Sequence, residues 1–198
     1  MMKGILFVLS GPSGTGKGTV CKKLLEREDI FLSVSATTRS RREGETEGVT
    51  YHYVTKDEFK KMIDEDEMLE YAEYNGNYYG TPKRSVVSLL DAGRDVLLEI
   101  EPQGAFKIKQ MFPEAVLIFL VPPSMKMLKE RLITRGRESM EEIDKRIAAS
   151  RWELQQADKY NKQIVNDDLD ICVDEVMAYI TEKRSERMMV KSLIDEKV

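Results

Sequence analysis

The chain has 198 residues, a length that suits one sizeable hydrophobic core with small inserts and not two large independent domains. Its residues are 41% hydrophobic and 33% charged, which is the balance of a soluble globular protein. The formal net charge of −4 is no sign of a polyanion-binding protein, so we expect no nucleic-acid partner and only local basic sites.

The predicted elements alternate between strands and helices along the chain. An apolar strand over residues 5–10 ends in a glycine-rich turn, and a helical pattern follows to about Glu28. Residues 95–101 and 115–121 are apolar runs without alternation, which suit strands buried on both faces of a parallel sheet. A helix is expected between them, and residues 169–180 repeat apolar side chains at helical spacing. This rhythm predicts an α/β core, a parallel sheet flanked by helices.

Two stretches interrupt the rhythm of the core. The first is a small mixed insert with a charged segment, a helix that begins at the capping box Thr55–Glu58, and a hairpin that turns at Asn75-Gly76. The second has an arginine-rich turn centred on a glycine between two helices, and we interpret it as a mobile helical lid. The predicted division is core 1–34, insert 35–82, core 83–125, lid 126–156 and core 157–198.

The cysteines, the histidine and the hydropathy exclude several kinds of chemistry. Cys21 and Cys172 lie in apolar helical patterns, so we expect both to pack in the core. His52 is the only histidine, which disfavours histidine-based catalysis or metal binding. No apolar run approaches the length of a membrane span, so we expect a cytoplasmic protein with no membrane partner.

The stretch from Gly11 to Thr19, GPSGTGKGT, almost satisfies the phosphate-binding loop pattern G-x-x-x-x-G-K-[ST]. Such a loop lets backbone N–H groups converge on phosphate oxygens, while the following helix N-terminus adds partial positive charge. Gly18 replaces the expected Ser or Thr and Thr19 follows one residue late, a spelling that resembles nucleoside monophosphate kinases. The sequence therefore predicts an ATP-binding loop made of Gly11, Pro12, Ser13, Gly14, Thr15, Gly16, Lys17, Gly18 and Thr19.

A kinase needs a second nucleotide-sized pocket, and the insert contains groups that suit one. Arg39 and Arg42 lie three residues apart, and Tyr51 follows downstream. Guanidinium groups match phosphate oxygens through planar two-donor forks, and tyrosine hydroxyls add neutral donors. On these residues alone, a solvated charged loop is the default interpretation.

The pattern S-x-T-T-R-x-x-R-x-G-E-x-x-G-x-x-Y, from Ser35 to Tyr51, resembles the signature of guanylate kinases. The resemblance continues in chain order through Glu70, Tyr79-Gly80-Thr81 and residues 99–105, 131–139 and 164–168. It implies a P-loop kinase core with a GMP-binding insert and a helical lid. The implied reaction is the Mg²⁺-dependent transfer of the γ-phosphoryl group of ATP to GMP, which yields ADP and GDP in purine nucleotide metabolism.

The resemblance also implies roles for residues of the acceptor site. The phosphate of GMP would be held by Arg39, Arg42, Tyr51 and Tyr79. The guanine base would be contacted by Ser35, Thr81, Glu70 and Glu101. Ser35 and Thr81 would hydrogen-bond O6, whereas Glu70 would face N1–H and the 2-amino group. Because a carboxylate only accepts and adenine presents a lone pair at N1, we expect Glu70 to exclude AMP and to reject IMP less completely.

On the donor side, the resemblance implies that lid arginines close on the phosphates of ATP. The candidates are Arg131, Arg135 and Arg146, with Arg137 a weaker one. Lys17 would offset charge on the γ-phosphoryl group and Arg42 could bridge donor and acceptor. Asn166 would contact adenine, with a turn-forming asparagine as the alternative. Mg²⁺ is expected near Thr19 and Glu99, although Glu99 and Glu101 stand where the family often has Asp.

Two other functions compete with the kinase. A non-catalytic guanylate-kinase-like interaction module is the first, but Lys17 and the lid arginines favour an enzyme. A P-loop GTPase is the second, because residues 101–104 superficially match D-x-x-G, but the guanine-reading N-K-x-D pattern is absent from the sequence. The expected small-molecule partners are ATP, GMP and dGMP, and the sequence carries no signal of the oligomeric state.

Overall fold

The computed structural model of the chain describes residues 2–74, 76–136 and 139–195. The chain divides into two compact units, Met1–Ser10 with Asp29–Leu117, and Gly11–Glu28 with Ile118–Val198. Within the described ranges, no helix is long and apolar enough to cross a membrane. In chain order the elements are β1 (Leu6–Ser10), α1 (Lys17–Arg27), β2 (Phe31–Leu32), β3 (Ala36–Thr37), β4 (His52–Tyr53), α2 (Lys56–Asp64), β5 (Met68–Tyr74), β6 (Asn77–Pro82), α3 (Lys83–Asp91), β7 (Val96–Glu99), α4 (Pro102–Met111), β8 (Val116–Val121), α5 (Met125–Thr134), α6 (Met140–Leu154), a 3₁₀ turn (Ala157–Lys159), β9 (Lys162–Val165) and α7 (Leu169–Asp195).

The core of the first unit is a parallel arrangement of strands in the order β2-β7-β1. Leu6 and Phe31 both lie opposite Val96, one on each side of β7. Every residue of β1 is buried, and α4 packs on β1 while α3 packs on β7. An unbroken apolar strand is what coverage of both faces requires, because no face is left for polar side chains.

The insert forms a second, mixed sheet in the order β4-β3-β6-β5, covered by α2. The helix α2 begins at the predicted capping box, in which the Thr55 hydroxyl accepts from Glu58 N and the Glu58 carboxylate accepts from Thr55 N. Phe59 of α2 is fully buried and stacks on Tyr78 of β6, with ring centroids 5.4 Å apart. These contacts give the insert a small apolar core of its own.

The second unit contains the parallel pair β8 and β9, with Ile118 opposite Lys162. The long helix α7 packs on both α1 and β9. Ion pairs Lys23–Asp170 and Arg27–Asp174 also join α1 to α7. The helices α5 and α6 pack against each other and form the helical pair predicted over residues 126–156.

The predicted α/β class, with a parallel sheet flanked by helices, is confirmed. The predicted strands and helices form at their predicted places, and the hairpin pairs Tyr74 with Asn77, although Asn75 lies outside the described residues. The sequence patterns assigned no element to β2, α3 or β9, and the two strands are too short to show a period. Both cysteines are buried, as predicted. The division into core, insert and lid segments stays a prediction.

Candidate functional site

In the phosphate loop at the start of α1, two side chains donate hydrogen bonds to backbone carbonyl groups of the loop itself. Lys17 is the first residue of α1, and its Nζ donates to Gly11 O at 2.6 Å and to Pro12 O at 3.3 Å. The Thr15 hydroxyl also donates to Pro12 O, at 2.7 Å. The lysine is only 8% exposed, so its ammonium group is held against the loop backbone at the positive end of the helix dipole. This arrangement suits an anion such as a phosphate group.

Three more predicted donor-side residues lie around this loop in the second unit. Arg146 Nη1 donates to Ser13 Oγ at 3.2 Å. Asn166 Nδ2 donates to Thr15 O at 2.7 Å, and Arg131 Nη2 donates to the backbone carbonyl of Asn166 at 3.0 Å. The structure therefore brings Arg131, Arg146 and Asn166 to the loop.

The other donor-side candidates are placed differently. Arg135 is the C-cap residue of α5 and is exposed. Thr19 lies in the first turn of α1 with its side chain exposed. Arg137 lies outside the described residues.

In the first unit, strand register places two of the predicted base-contacting residues, Glu70 and Thr81, directly opposite each other, and Ser35 directly precedes β3. Ala36 lies opposite Gly80, so Ser35 continues the same register toward Thr81. Glu70 lies opposite Thr81 on the other side, and the Thr81 hydroxyl donates to Glu70 Oε1 at 2.7 Å. This pairing continues without a break the hairpin register that begins at Tyr74 and Asn77, and the β-bulge lies beyond it, between Met68 and Glu70.

The Glu70 carboxyl group is buried and tightly enclosed. Its side chain is 6% exposed, and burial raises the pKa of the Glu70 carboxyl above its ordinary value, against the opposing effects of the Thr81 hydrogen bond and of Lys107. A Cβ atom added to Gly104 of α4 would lie 2.6 Å from Glu70 Oε2. Gly104 therefore leaves the space that this carboxylate occupies.

The predicted phosphate-contacting residues form a second cluster beside the base-contacting residues. Tyr79 lies two residues before Thr81 on β6 and therefore on the same face of the strand. The rings of Tyr51 and Tyr79 meet edge to face with centroids 6.1 Å apart, and the Arg39 guanidinium lies 5.2 Å from the Tyr51 ring centroid. Arg42 is exposed at the rim of this cluster.

Glu45, which has no role among the sequence-based predictions, holds Arg39 in this cluster. Arg39 Nη1 donates to Glu45 Oε2 at 2.7 Å and Nη2 donates to Oε1 at 2.5 Å. The Tyr53 hydroxyl and the Arg42 backbone N–H donate to the same carboxylate, each at 2.8 Å. These donors lower the pKa of Glu45 to about 2, chiefly through Arg39, so the carboxylate is ionised at neutral pH.

The Glu45 carboxylate pairs with one edge of the Arg39 guanidinium, the edge between Nη1 and Nη2. The second hydrogen on Nη1 is directed to Ser40 O at 2.9 Å. The remaining edge, formed by Nε–H and the other Nη2–H, is a second two-donor fork of the kind that matches a phosphate. The sequence signal for Glu45 was the Gly44-Glu45 pair inside the insert motif, where Glu45 lies three residues after Arg42.

The two acidic residues after β7 occupy distinct positions. Glu99 is half-buried at the end of β7, and its charge, after burial, helps to raise the pKa of Tyr51 to about 12. Glu99 therefore lies beside the tyrosine cluster. Glu101 is the exposed N-cap residue of α4.

The residues of this site offer Mg²⁺ only one or two oxygen ligands from the chain. Within the described ranges, no group of three His, Cys, Asp or Glu side chains is arranged to hold a metal ion. Mg²⁺ in kinase sites is bound through substrate phosphates, waters and only one or two carboxylates. The residues present therefore fit an ion that arrives with a nucleotide and do not fit a resident metal centre.

A parallel α/β sheet and a loop of this kind at a helix N-terminus define the chain as a nucleotide-binding protein of the P-loop class. The family model described as guanylate kinase matches residues 3–183. The chain belongs to the guanylate kinase family.

Similar proteins agree with this assignment over nearly the whole chain. A guanylate kinase of Clostridium perfringens (strain SM101 / Type A) is 49% identical over 197 residues, which cover 98% of this chain and 91% of that protein. A guanylate kinase of Clostridium acetobutylicum is 48% identical over 196 residues, with coverage of 98% and 94%. The crystal structure of guanylate kinase from Anaplasma phagocytophilum matches with a TM-score of 0.77 at 36% identity and covers 94% of this chain and 88% of that chain.

Proposed function

We propose that the chain transfers the γ-phosphoryl group of ATP to GMP, which makes it an ATP:GMP phosphotransferase. One observation carries the acceptor assignment. The buried Glu70 carboxylate lies opposite Thr81 and accepts from its hydroxyl, next to a cluster of tyrosines and Arg39. A set of hydrogen-bonding groups that includes a carboxylate suits the edge of guanine, and the adjacent cationic cluster suits its phosphate.

The acceptor site would discriminate by the direction of its hydrogen bonds. In the GMP complex, Glu70 accepts from N1–H and the 2-amino group, while the Thr81 and Ser35 hydroxyls adjust to O6. AMP would place the N1 lone pair against a buried carboxylate, which leaves two acceptors facing each other. Glu101 contacts the base more weakly, since it is exposed at the start of α4.

The GMP phosphate would be bound by Arg39, Arg42, Tyr51 and Tyr79. Arg39 uses its Nε–Nη2 fork for the phosphate while Glu45 holds the other edge. Because these contacts involve the base and the phosphate and not the sugar, we propose dGMP as a second acceptor.

The donor site would bind the phosphates of ATP on the loop, with Lys17 on the outer phosphates. Phosphoryl transfer depends on alignment and charge stabilisation more than on covalent chemistry. Arg131, Arg135 and Arg146 offset the charge that develops during transfer, and an arginine in such a role contributes on the order of 10³–10⁵ in rate. Thr19 and Glu99 are the candidate ligands of Mg²⁺, directly or through water, and the bound ion would supply charge neutralisation on the phosphates of ATP. We place the activity in the cytoplasm, where both substrates occur.

The test is ADP formation from ATP and Mg²⁺ with GMP, dGMP, IMP, AMP, CMP and UMP as separate acceptors, beside a reaction without acceptor. We expect strong turnover with GMP, weak turnover with IMP and none with AMP. The Lys17→Met variant, which keeps the length of the side chain without its charge, should abolish turnover and still bind GMP.

Two results would contradict the proposal. Equal ADP formation with and without acceptor would indicate an ATP hydrolase. Folded protein that binds GMP and turns over no acceptor would indicate the non-catalytic interaction module.

A further inference from the structure

The backbone of Asn166 is anchored on two sides, directly after β9. Its N–H donates to Val121 O, at the end of β8, at 2.9 Å. Its carbonyl accepts from Arg131 Nη2 at 3.0 Å. The main chain at this position is therefore fixed by β8 and by α5, so its side chain projects from a rigid base.

The Asn166 side chain is buried against the phosphate loop. The residue is 5% exposed, and its Nδ2 donates to the carbonyl of Thr15, which is fully buried, at 2.7 Å. A Cβ atom on Gly16 would lie 2.7 Å from the same Nδ2 atom. The missing side chain at Gly16, whose φ is +92°, is what permits this close approach.

The hydrogen bond to Thr15 O determines the direction of a backbone donor in the loop. The Thr15 carbonyl and the Gly16 N–H belong to the same planar trans peptide, so they point in opposite directions. When Asn166 holds the carbonyl on its own side, the Gly16 N–H is directed away from Asn166. In phosphate loops, such N–H groups bind the phosphate oxygens.

We infer that Asn166 is a positioning residue of the phosphate loop, which orients the Thr15–Gly16 peptide for triphosphate binding and does not depend on the base that the triphosphate carries. The inference rests on the proposed function, because it takes the loop as the binding site of the donor phosphates. It assigns Asn166 a role different from the adenine contact that the family resemblance implies.

The test compares two ligands that differ only in the nucleoside: Mg²⁺ with ATP, and Mg²⁺ with inorganic tripolyphosphate. Their dissociation constants are measured by calorimetry for the full chain, for Asn166→Ala and for Asn166→Ser. Serine is too short to span the hydrogen bond to Thr15 O, and it leaves a smaller change in packing. Asn161→Ala is the matched control, since Asn161 is an exposed asparagine just before β9.

We expect both dissociation constants to rise by the same factor, on the order of 10-fold, because a buried hydrogen bond that orients a donor is lost. The GMP dissociation constant should stay unchanged, since the GMP-contacting residues belong to the other unit. In NMR spectra, the Gly16 amide resonance should shift on addition of tripolyphosphate in the unmodified chain and lose that shift in the variants. Asn161→Ala should behave as the unmodified chain in every measurement.

Weaker ATP binding with unchanged tripolyphosphate binding would show that Asn166 contacts the base, and it would overturn the inference. Unchanged binding of both ligands would overturn it as well. Loss of GMP binding in both variants would make Asn166 a general structural residue, which also contradicts a specific role in the loop. The proposed function is tested separately, by GMP-dependent turnover of the unmodified chain.

Discussion

Gly104→Ala should impair GMP use without weakening the fold. The added Cβ would lie 2.6 Å from Glu70 Oε2, whereas ordinary contacts begin near 3.4 Å, so the carboxylate must move by about 0.8 Å. The Thr81 hydroxyl bond at 2.7 Å holds the other oxygen of this carboxylate, so the displacement misaligns a fixed group. A misplacement of about 1 Å at a binding group costs on the order of 10²-fold in rate.

For the stability of the fold, in contrast to GMP use, helix propensity favours this substitution. Alanine is favoured over glycine inside a helix by up to about 1 kcal/mol, so Gly104→Ala should unfold at a temperature equal to or above that of the unmodified chain. We therefore expect kcat/KM for GMP to fall about 100-fold, with the KM for ATP unchanged.

The assay is steady-state ADP formation at saturating ATP over a range of GMP concentrations, with thermal unfolding measured in parallel. Gln103→Ala, at the exposed position before Gly104 in the same helix, is the matched control and should retain full activity. Activity of Gly104→Ala within twofold of the unmodified chain would refute the assignment of Glu70 to the guanine base.

Three further outcomes are expected in the insert. Glu45→Gln should raise the KM for GMP about 10-fold at unchanged kcat, because the charged two-bond pairing that positions Arg39 is lost. Glu47→Gln is the control, and an equal KM for GMP in the two variants would contradict the positioning role of Glu45. Arg39→Lys should also raise the KM for GMP, since an ammonium cannot form the fork, whereas the exposed Arg41→Lys should not. Glu70→Gln should unfold at a higher temperature than the unmodified chain at pH 7 but lose GMP binding. Burial raises the folded-state pKa of the Glu70 carboxyl above its unfolded-state value, so the carboxyl destabilises the fold as pH rises through the interval between these two pKa values. The difference in unfolding temperature between Glu70→Gln and the unmodified chain should therefore vanish near pH 4. A difference that stays constant with pH would contradict this cause.

Much of the fold could be predicted from local patterns. The apolar runs at β1, β7 and β8 are long enough to mark buried strands, and the capping box at Thr55 marked the start of α2. The phosphate loop could be predicted because its chemistry depends on residues adjacent in sequence, with Lys17 directly before the helix body. Short elements such as β2 could not, because two residues carry no period and are ordered only by their neighbours.

The amino-acid sequence alone determined the class of the protein, since the spacing of the loop glycines, Lys17 and the insert motif is a property of consecutive residues. Only the tertiary structure decided which groups meet. The register of the β5–β6 hairpin brings Glu70 opposite Thr81, and Gly104 from a distant helix leaves room for its carboxylate. Asn166 reaches Thr15 across 151 positions of the chain. Such contacts depend on strand register and on the approach of separate elements, which are set by packing over the whole fold and not by local propensity.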